Sequence, residues 1–287
     1  MLHQSMYPML PLLALVGGHL RRDAATSLPS TLSDDWLKAG GNYVMAMTSD
    51  GHFAIDKNIT KVYLDIGVWK ETDFKRDLLS DPHLLVFGID ANPDVMRAQA
   101  FTHERFKLFN FAAGDNDKYI EFNINGHPGC SSVLKGNTDK FNNSIKTKKD
   151  WLKNDCIQTN RTVRVPMRRL DHFIARIPSQ ISVDWVKIDA QGYDFEVMKS
   201  IGSELKRVRK LQFETQLVED GSPDALYEGA APFSKIEGWI REQGFPKARC
   251  TSFNGIQKAI KEVDCITCRG VINVTKHWRR CRFASGL

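Results

Sequence analysis

Carboxylate and amide side chains close five apolar segments of the chain. These residues are Asp65, Asp90, Asn110, Asp189 and Glu214. One carboxylate can accept hydrogen bonds from both hydroxyls of a ribose, and a carboxylate can also take a proton from a substrate hydroxyl. The residue types therefore indicate nucleoside binding and acid–base chemistry, provided that the fold brings the ends of the five segments together.

The order of the elements predicts such a convergence. From residue 61 onward, β-branched and aromatic runs alternate with amphipathic stretches, which is typical of parallel strands joined by helices. The predicted strands are 61–67, 84–90, 106–113, 119–124, 163–165, 183–189 and 209–214, and the predicted helices are 73–80, 93–101, 195–205 and 233–243. Two later extended segments, 248–253 and 263–269, predict an antiparallel pair. We therefore expect an α/β fold with a doubly wound, mostly parallel sheet and an antiparallel C-terminal edge, which binds ligands beyond the carboxyl ends of its strands.

Several of these residues also allow purely structural interpretations. Asp90 could bind a ribose, or it could cap the helix that follows it. Asp65 and Gly67 could permit the close approach of a cofactor, or they could form a tight turn between strand and helix. Lys187 and Asp189 share one face of their strand, so Lys187 could take part in catalysis or form a buried ion pair with Asp189.

A series of ordered motifs resembles the FkbM family of methyltransferases. The motifs are VKIDAQGYDFEVMKSIG (186–202), YLDIG (63–67), FGIDANPD (87–94), NFAAGD (110–115), the Ser131 and Ser132 pair, RRLDHFI (168–174) and LQFET (211–215). The resemblance extends from about residue 61 to residue 216. It implies a Rossmann-like class I methyltransferase fold, S-adenosylmethionine as the cofactor, and methyl transfer to a hydroxyl of a sugar, a glycan or another small molecule.

The resemblance also implies roles for individual residues. Asp65 and Gly67 would line the methionine part of the cofactor, Asp90 the ribose, Asn110 with Ala112 and Ala113 the adenine edge, and Asp189 the floor beneath the sulfonium. In such a site the protein aligns two reactants while a carboxylate removes the hydroxyl proton. Asp189 and Glu214 are the predicted bases, and Lys187 completes the predicted catalytic group.

One loop departs from the family pattern. Where the family has Asp-x-Gly-Ala-Asn-x-Gly, this chain has DIGVWKE, so Trp69 and Glu71 replace the asparagine and the second glycine. The indole and the additional carboxylate could crowd the space of the cofactor's amino acid portion, or Glu71 could pair with the ammonium group of the cofactor. The alternative function is therefore a non-catalytic binding module that has lost its cofactor through this altered loop.

Composition and other motifs disfavour further classes of function. The chain has 287 residues, 42% of them hydrophobic, and a net charge of +6, which excludes a disordered or collagenous protein and permits an anionic partner without requiring one. A nicotinamide-dependent enzyme is disfavoured because no G-x-G-x-x-G follows the first strand. Basic runs at 146–153, 161–169 and 279–282 lack regular aromatic residues, so no nucleic-acid partner is predicted. No histidine motif indicates a metal, and the oligomeric state stays open.

The N-terminal region contains an apolar run at 9–16 that is much shorter than the roughly 20 residues needed to span a bilayer. The run resembles the hydrophobic part of a secretory signal, and a disordered leader explains the same residues. We therefore predict a leader at 1–30, an extension at 31–60, and a methyltransferase-like domain at 61–287 with an exposed, Lys- and Asn-rich insertion at 135–160.

Two further features favour a secretory compartment. Four N-x-S/T triplets, which start at Asn58, Asn142, Asn160 and Asn273, indicate a glycoprotein. Four cysteines, Cys250, Cys265, Cys268 and Cys281, lie close together near the C-terminus. They predict a pair of disulfides, with a zinc site or reduced thiols as the alternatives. The expected location is the secretory lumen or the extracellular space, and the cytoplasm is the alternative.

Overall fold

The computed structural model describes residues 45–138, 152–222, 224–252, 261–269, 271–274 and 281–283. The strands are β1 Lys61–Ile66, β2 Leu84–Asp90, β3 Phe106–Asn110, β4 Ala112–Ala113, β5 Lys118–Asn125, β6 Thr159–Arg168, β7 Ser182–Ile188, β8 Lys210–Gln216, β9 Arg249–Ser252, β10 Glu262–Cys268, β11 Val271–Val274 and β12 Cys281–Phe283. The α-helices are α1 Lys75–Ser80, α2 Pro93–Ala98, α3 Leu170–Ile174, α4 Asp194–Ser200 and α5 Phe233–Glu242. Short 3₁₀ segments cover Pro128–Cys130 and Gly202–Arg207, and a helical turn covers Leu152–Ile157.

The main sheet has seven strands in the order β3-β2-β1-β7-β8-β10-β9. Five neighbouring strands of this sheet are parallel to one another: β3, β2, β1, β7 and β8. Strand β10 runs antiparallel to both β8 and β9. This arrangement confirms the predicted doubly wound fold with an antiparallel C-terminal edge. The strand order reverses between β1 and β7, so the carboxyl ends of these two strands border the crevice in which such folds bind ligands.

An aromatic cluster fills one side of the sheet. Phe173 on α3 contacts Phe53, Phe87 and Phe109, with ring centroids 5.2, 5.4 and 5.1 Å away. Apolar residues on both faces of a parallel strand are expected when both faces are covered. Phe53 belongs to the predicted extension 31–60 and is fully buried, so this part of the extension packs into the core of the sheet. Residues 1–44, including the predicted leader, lie outside the described residues.

A second, three-stranded sheet has the order β4-β6-β5. Two predicted strands, 106–113 and 163–165, differ from the strands observed. The predicted strand 106–113 breaks at Phe111, whose buried ring joins the aromatic cluster, and the following Ala112 and Ala113 pair with β6 instead. The predicted strand 163–165 is the ten-residue β6, which pairs antiparallel with β5. Its exposed polar residues hid the length of this strand, because the periodicity signal depends on apolar positions.

Both described ends of the predicted exposed insertion 135–160 contain buried residues next to exposed ones. Asn137 is buried and donates a hydrogen bond from Nδ2 to the backbone oxygen of Ala225 at 3.0 Å. Cys156 and Ile157 are also buried, and Cys156 forms a disulfide with Cys130. Polar composition indicated exposure, but an amide that is hydrogen-bonded to backbone and a cysteine in a disulfide can both be buried at little cost. Residues 139–151 lie outside the described residues.

The disulfides confirm the prediction for the C-terminal edge. Cys250 on β9 and Cys265 on β10 face each other directly, with Cα atoms 4.0 Å apart, and are joined by a disulfide. Cys268 is also disulfide-bonded. The side chain of Cys281 lies outside the described residues. None of the described helices is long and apolar enough to cross a bilayer.

Candidate functional site

A cavity of about 710 Å³ opens at the carboxyl ends of β1, β2, β7 and β8. This volume is within the range of pockets that hold small molecules and cofactors. The predicted site residues that line it are Gly67, Asp90, Ala112, Ala113, Asp189 and Glu214. The predicted residues Asp65, Asn110 and Lys187 lie outside its lining.

Gly67 allows the ends of β1 and β7 to approach each other closely. Its φ is +83°, and a Cβ atom on this residue would lie only 1.9 Å from the backbone oxygen of Asp189. One hydrogen bond holds this approach, from Asp189 N to Ile66 O at 3.0 Å, and Gly67 N donates to Ile89 O of the neighbouring β2 at 2.8 Å. A glycine is therefore required by the packing of three strand ends, and it also leaves room in the cavity.

Asp90 presents its carboxyl group to the cavity and does not cap the following helix. The cap of α2 is Asn92, whose Oδ1 accepts a hydrogen bond from Asp94 N at 2.9 Å. Asp90 Oδ1 accepts from Asn92 N at 2.7 Å. Burial raises the pKa of Asp90 to about 8, and the negative charges of Asp189 and Asp65 act in the same direction. The helix-cap alternative is therefore wrong, and Asp90 is available to bind a ligand.

Asn110 supports Asp90 instead of lining the cavity. Its Nδ2 donates to the backbone oxygen of Asp90 at 2.8 Å, which ties the end of β3 to the end of β2. The cavity wall beyond this point is formed by Phe111, Ala112 and Ala113. Sequence analysis did not single out Phe111, because an aromatic residue within an apolar run is usually a core residue.

Asp65 and Lys187 form an ionic network next to the cavity. Asp65 is buried, and its Oδ2 accepts hydrogen bonds from Thr72 Oγ1 at 2.7 Å and from Asp73 N at 3.0 Å. Lys187 Nζ lies 3.6, 3.1 and 3.4 Å from carboxylate oxygens of Asp65, Asp73 and Asp189. Burial opposes the charge on Lys187, but the three carboxylates outweigh it and raise the pKa of Lys187 well above its ordinary value. Lys187 is therefore a fixed ammonium counter-ion in this structure, as in the ion-pair alternative, and cannot accept a proton.

Asp189 and Glu214 meet at the floor of the cavity through the side chain of Gln191. Gln191 Nε2 donates to Asp189 Oδ1 at 2.8 Å and to Glu214 Oε2 at 3.1 Å. Burial raises the pKa of Glu214 well above its ordinary value, and the negative charge of Asp189 adds to the effect. Among the described residues, no group of three or more His, Cys, Asp or Glu side chains could hold a metal ion.

Sequence analysis missed one residue of the floor and one residue that lies behind it. Glu262, the first residue of β10, lies opposite Gln216 in the antiparallel register and lines the cavity. Burial raises the pKa of Glu262 to about 8, and the charge of Asp189 contributes. Tyr227 is buried, and its hydroxyl lies within hydrogen-bond distance of Gln191 Oε1 at 2.8 Å and of Cys130 O at 2.9 Å. An antiparallel strand brings its first residue to the edge where parallel strands end, and this rule could have identified Glu262.

Comparison with protein families identifies the chain. The family model of the methyltransferase FkbM domain matches residues 56–246. The chain belongs to the FkbM methyltransferase family. No functionally curated protein matches the sequence. Among solved structures, a chain from the complex between the Haloferax volcanii Trm112 methyltransferase activator and a methyltransferase is similar over 81% of this chain and 86% of its own length. The sequence identity is 7% and the TM-score is 0.33.

The altered first loop of this FkbM methyltransferase does not fill the cavity. Glu71 lies outside the cavity lining and forms an exposed ion pair with Lys75, with 2.6 Å between Oε2 and Nζ. Crowding of the site by Glu71 is therefore excluded. Trp69 remains 39% exposed and lines the cavity, with its ring centroid 4.8 Å from that of His127. The substitution of the family's asparagine by Trp69 thus adds an aromatic wall beside the cavity.

In this FkbM methyltransferase, the wall opposite the strand ends is formed by residues 127–131 and Cys156. The Cys130–Cys156 disulfide links its two parts. Asn125 is buried, and its Nδ2 donates to Cys130 O at 2.8 Å and to Cys156 O at 2.6 Å. Both cysteines line the cavity, so the disulfide fixes the wall opposite the strand ends.

Proposed function

We propose that this FkbM methyltransferase uses S-adenosylmethionine to methylate a hydroxyl group of a sugar, a glycan or another small molecule. The supporting observation is that one cavity contains Asp90 at the end of β2 together with Asp189 and Glu214 at the ends of β7 and β8. Nucleoside recognition and proton removal thereby become possible in one site. The family membership supports methyl transfer as the reaction.

The residues of the cavity fit this cofactor. The Asp90 carboxyl group is suited to hydrogen bonds with the two ribose hydroxyls. Ala112 and Ala113 carry small side chains next to the Phe111 ring, which suits a flat heterocycle. Gly67 leaves the backbone at the end of β1 uncovered, so the amino acid portion of the cofactor can lie against it. A volume of about 710 Å³ leaves room for a small acceptor beside the cofactor.

The protein's own contribution to the reaction is orientation and proton removal. When bound, S-adenosylmethionine supplies an electrophilic methyl group to an oxygen nucleophile. Asp189 and Glu214 lie at the floor of the same cavity, where either carboxylate is suited to accept the proton of the acceptor hydroxyl. Because burial raises the pKa of Glu214, its carboxylate is a stronger base than a solvated one.

Isothermal titration with S-adenosylmethionine and S-adenosylhomocysteine tests the cofactor. We expect micromolar binding by the wild type, and at least tenfold weaker binding by Asp90→Ala because the ribose contacts are lost. Glu71→Gln is the matched control, since this exposed carboxylate lies outside the cavity. If the folded wild type binds neither compound, the non-catalytic binding module is the correct function. Mass spectrometry of a panel of neutral sugars and glycans, incubated with protein and cofactor, then tests for a methylated product.

We also propose that the protein resides in the secretory lumen or is secreted. The Cys130–Cys156 and Cys250–Cys265 disulfides support an oxidising compartment. Asn58 lies on the surface within an N-x-T triplet, which suits attachment of a glycan. After expression in secretory cells, endoglycosidase treatment should increase the electrophoretic mobility, and Asn58→Gln should reduce that change. An unmodified protein with reduced thiols would favour the cytoplasm.

A further inference from the structure

The backbone of Gln191 adopts a conformation that few residues other than glycine adopt. Its φ is +51°, in the left-handed region, and the next residue, Gly192, has a φ of +88°. Such conformations are strained and persist at functional sites when the surroundings enforce them. Here the fully buried Ser132 donates from Oγ to the backbone oxygen of Gln191 at 2.8 Å. A glycine would relieve the strain at position 191, whereas glutamine places an amide group between two carboxyl groups.

The hydrogen bonds of the Gln191 amide fix its orientation. The Nε2 group has two hydrogens, and it donates to Asp189 Oδ1 at 2.8 Å and to Glu214 Oε2 at 3.1 Å. At the other end, Oε1 lies 2.8 Å from the Tyr227 hydroxyl, which also lies 2.9 Å from the backbone oxygen of Cys130. A reversed amide would direct its oxygen at two carboxyl groups and lose both hydrogen bonds to them. Gln191 therefore spans the two carboxylates in one defined orientation.

The two carboxylates that Gln191 joins have different surroundings. Asp189 also lies 3.4 Å from the ammonium group of Lys187, so it has a cationic partner. Among the described residues, no lysine or arginine forms an ion pair with Glu214. The titratable groups that surround Glu214 are instead Asp189, Asp194, Tyr227, Glu262 and Asp264. Burial and these acidic neighbours raise the pKa of Glu214.

We propose that Gln191 is a positioning residue that holds Asp189 as the charged carboxylate and Glu214 as the proton acceptor for the substrate hydroxyl. The inference rests on the proposed function, which it deepens by separating the roles of the two predicted bases. Asp189 then provides a fixed negative charge in the cavity, and Glu214 exchanges the proton. Gln191 itself touches the two carboxylates and transfers no proton.

The first measurement needs no ligand. Infrared difference spectroscopy separates a protonated carboxylic acid from a carboxylate and can be followed between about pH 5 and pH 9. We expect Glu214→Gln to remove a band of protonated acid that is lost as the pH rises, and Asp189→Asn to leave that band in place. Gln191→Met keeps the length of the side chain but removes its donor, so the Glu214 band should titrate at a higher pH than in the wild type.

Tyr227→Phe is the matched control for the first measurement. It removes the hydroxyl that holds Gln191 Oε1 but leaves both donors to the carboxylates. If Gln191 only supported the local structure, this variant would shift the Glu214 band as much as Gln191→Met does. Such a result would overturn the inference, as would a band that disappears in Asp189→Asn instead of Glu214→Gln. An unchanged band in Tyr227→Phe supports it.

The second measurement is the preference for S-adenosylmethionine over S-adenosylhomocysteine in isothermal titration. The two compounds differ in the positive charge at sulfur, which a fixed anionic Asp189 favours. We expect Gln191→Met to reduce this preference about tenfold, because Asp189 loses a charge-assisted hydrogen bond. Binding with an unchanged preference would overturn the Gln191 inference alone. Failure of the wild type to bind either compound would overturn the proposed function, and the role of Gln191 within it.

Discussion

Replacement of Gly67 by alanine should separate steric exclusion from backbone strain. The added Cβ would lie 1.9 Å from Asp189 O, and real Cβ contacts are essentially never shorter than 3.0 Å, so the strand ends must move apart by about 1 Å. That movement stretches the hydrogen bond from Asp189 N to Ile66 O, now 3.0 Å long, beyond bonding distance. The lost bond costs about 1 to 1.5 kcal/mol, and left-handed alanine costs about 1 to 2 kcal/mol. The expected destabilisation of Gly67→Ala is therefore about 3 kcal/mol.

Gly51→Ala is the matched control for this substitution. Gly51 has the same φ of +83°, but an added Cβ there would meet nothing within 4 Å. Its expected cost is the left-handed strain alone, about 1 to 2 kcal/mol. The free energies of unfolding of both variants, measured with urea, give the difference directly. Equal destabilisation of the two variants would refute the role of Gly67 in the close approach of β1 and β7.

Three further perturbations test the cavity. Because the pKa of Asp90 is raised to about 8 in the folded state, the folded state loses stability as the pH rises from about 4 towards 8. Asp90→Asn should therefore raise the free energy of unfolding at pH 8 by about 2 to 5 kcal/mol. Urea titrations at several pH values should show this gain shrinking towards pH 4. Replacement of Cys130 and Cys156 by serine opens a loop with a sequence separation of 26 and should cost about 3 kcal/mol in the same assay. Glu71→Gly should change the dissociation constant of S-adenosylmethionine less than twofold, whereas Trp69→Ala, which removes a cavity wall, should change it more than fivefold in isothermal titration.

The sheet could be predicted from the sequence because its strands are continuous apolar runs of the right length. The β2 segment, 84–90, was predicted with its observed bounds, since six of its seven residues are buried and a turn signal follows. The break at Phe111 could not be predicted, because a buried aromatic residue suits a strand and a core cluster equally well. Tertiary packing decides between them, and it places Ala112 and Ala113 in a different sheet.

Only the site residues that close predicted strands could be identified from the sequence. Asp90 and Asp189 close parallel strands, so the topology alone indicates that they converge. The hydrogen bonds of Asn110 and the ion pairs of Lys187 depend on side-chain directions that a sequence pattern does not give. Tyr227 lies in the connection after β8 and carries no periodic or motif signal, although its hydroxyl contacts Gln191, which lines the cavity.

The altered first loop shows how a family pattern can change while the site is kept. In the family pattern, a second glycine relaxes the loop after β1, and this chain has Glu71 in its place. In this chain, buried side chains anchor the loop. Asp65 accepts hydrogen bonds from Thr72 Oγ1 and Asp73 N, and Lys187 contacts both Asp65 and Asp73. Glu71 is exposed in this anchored loop, so its larger side chain fits where the family pattern has a glycine. The glycine that cannot be replaced is Gly67, where two backbones meet.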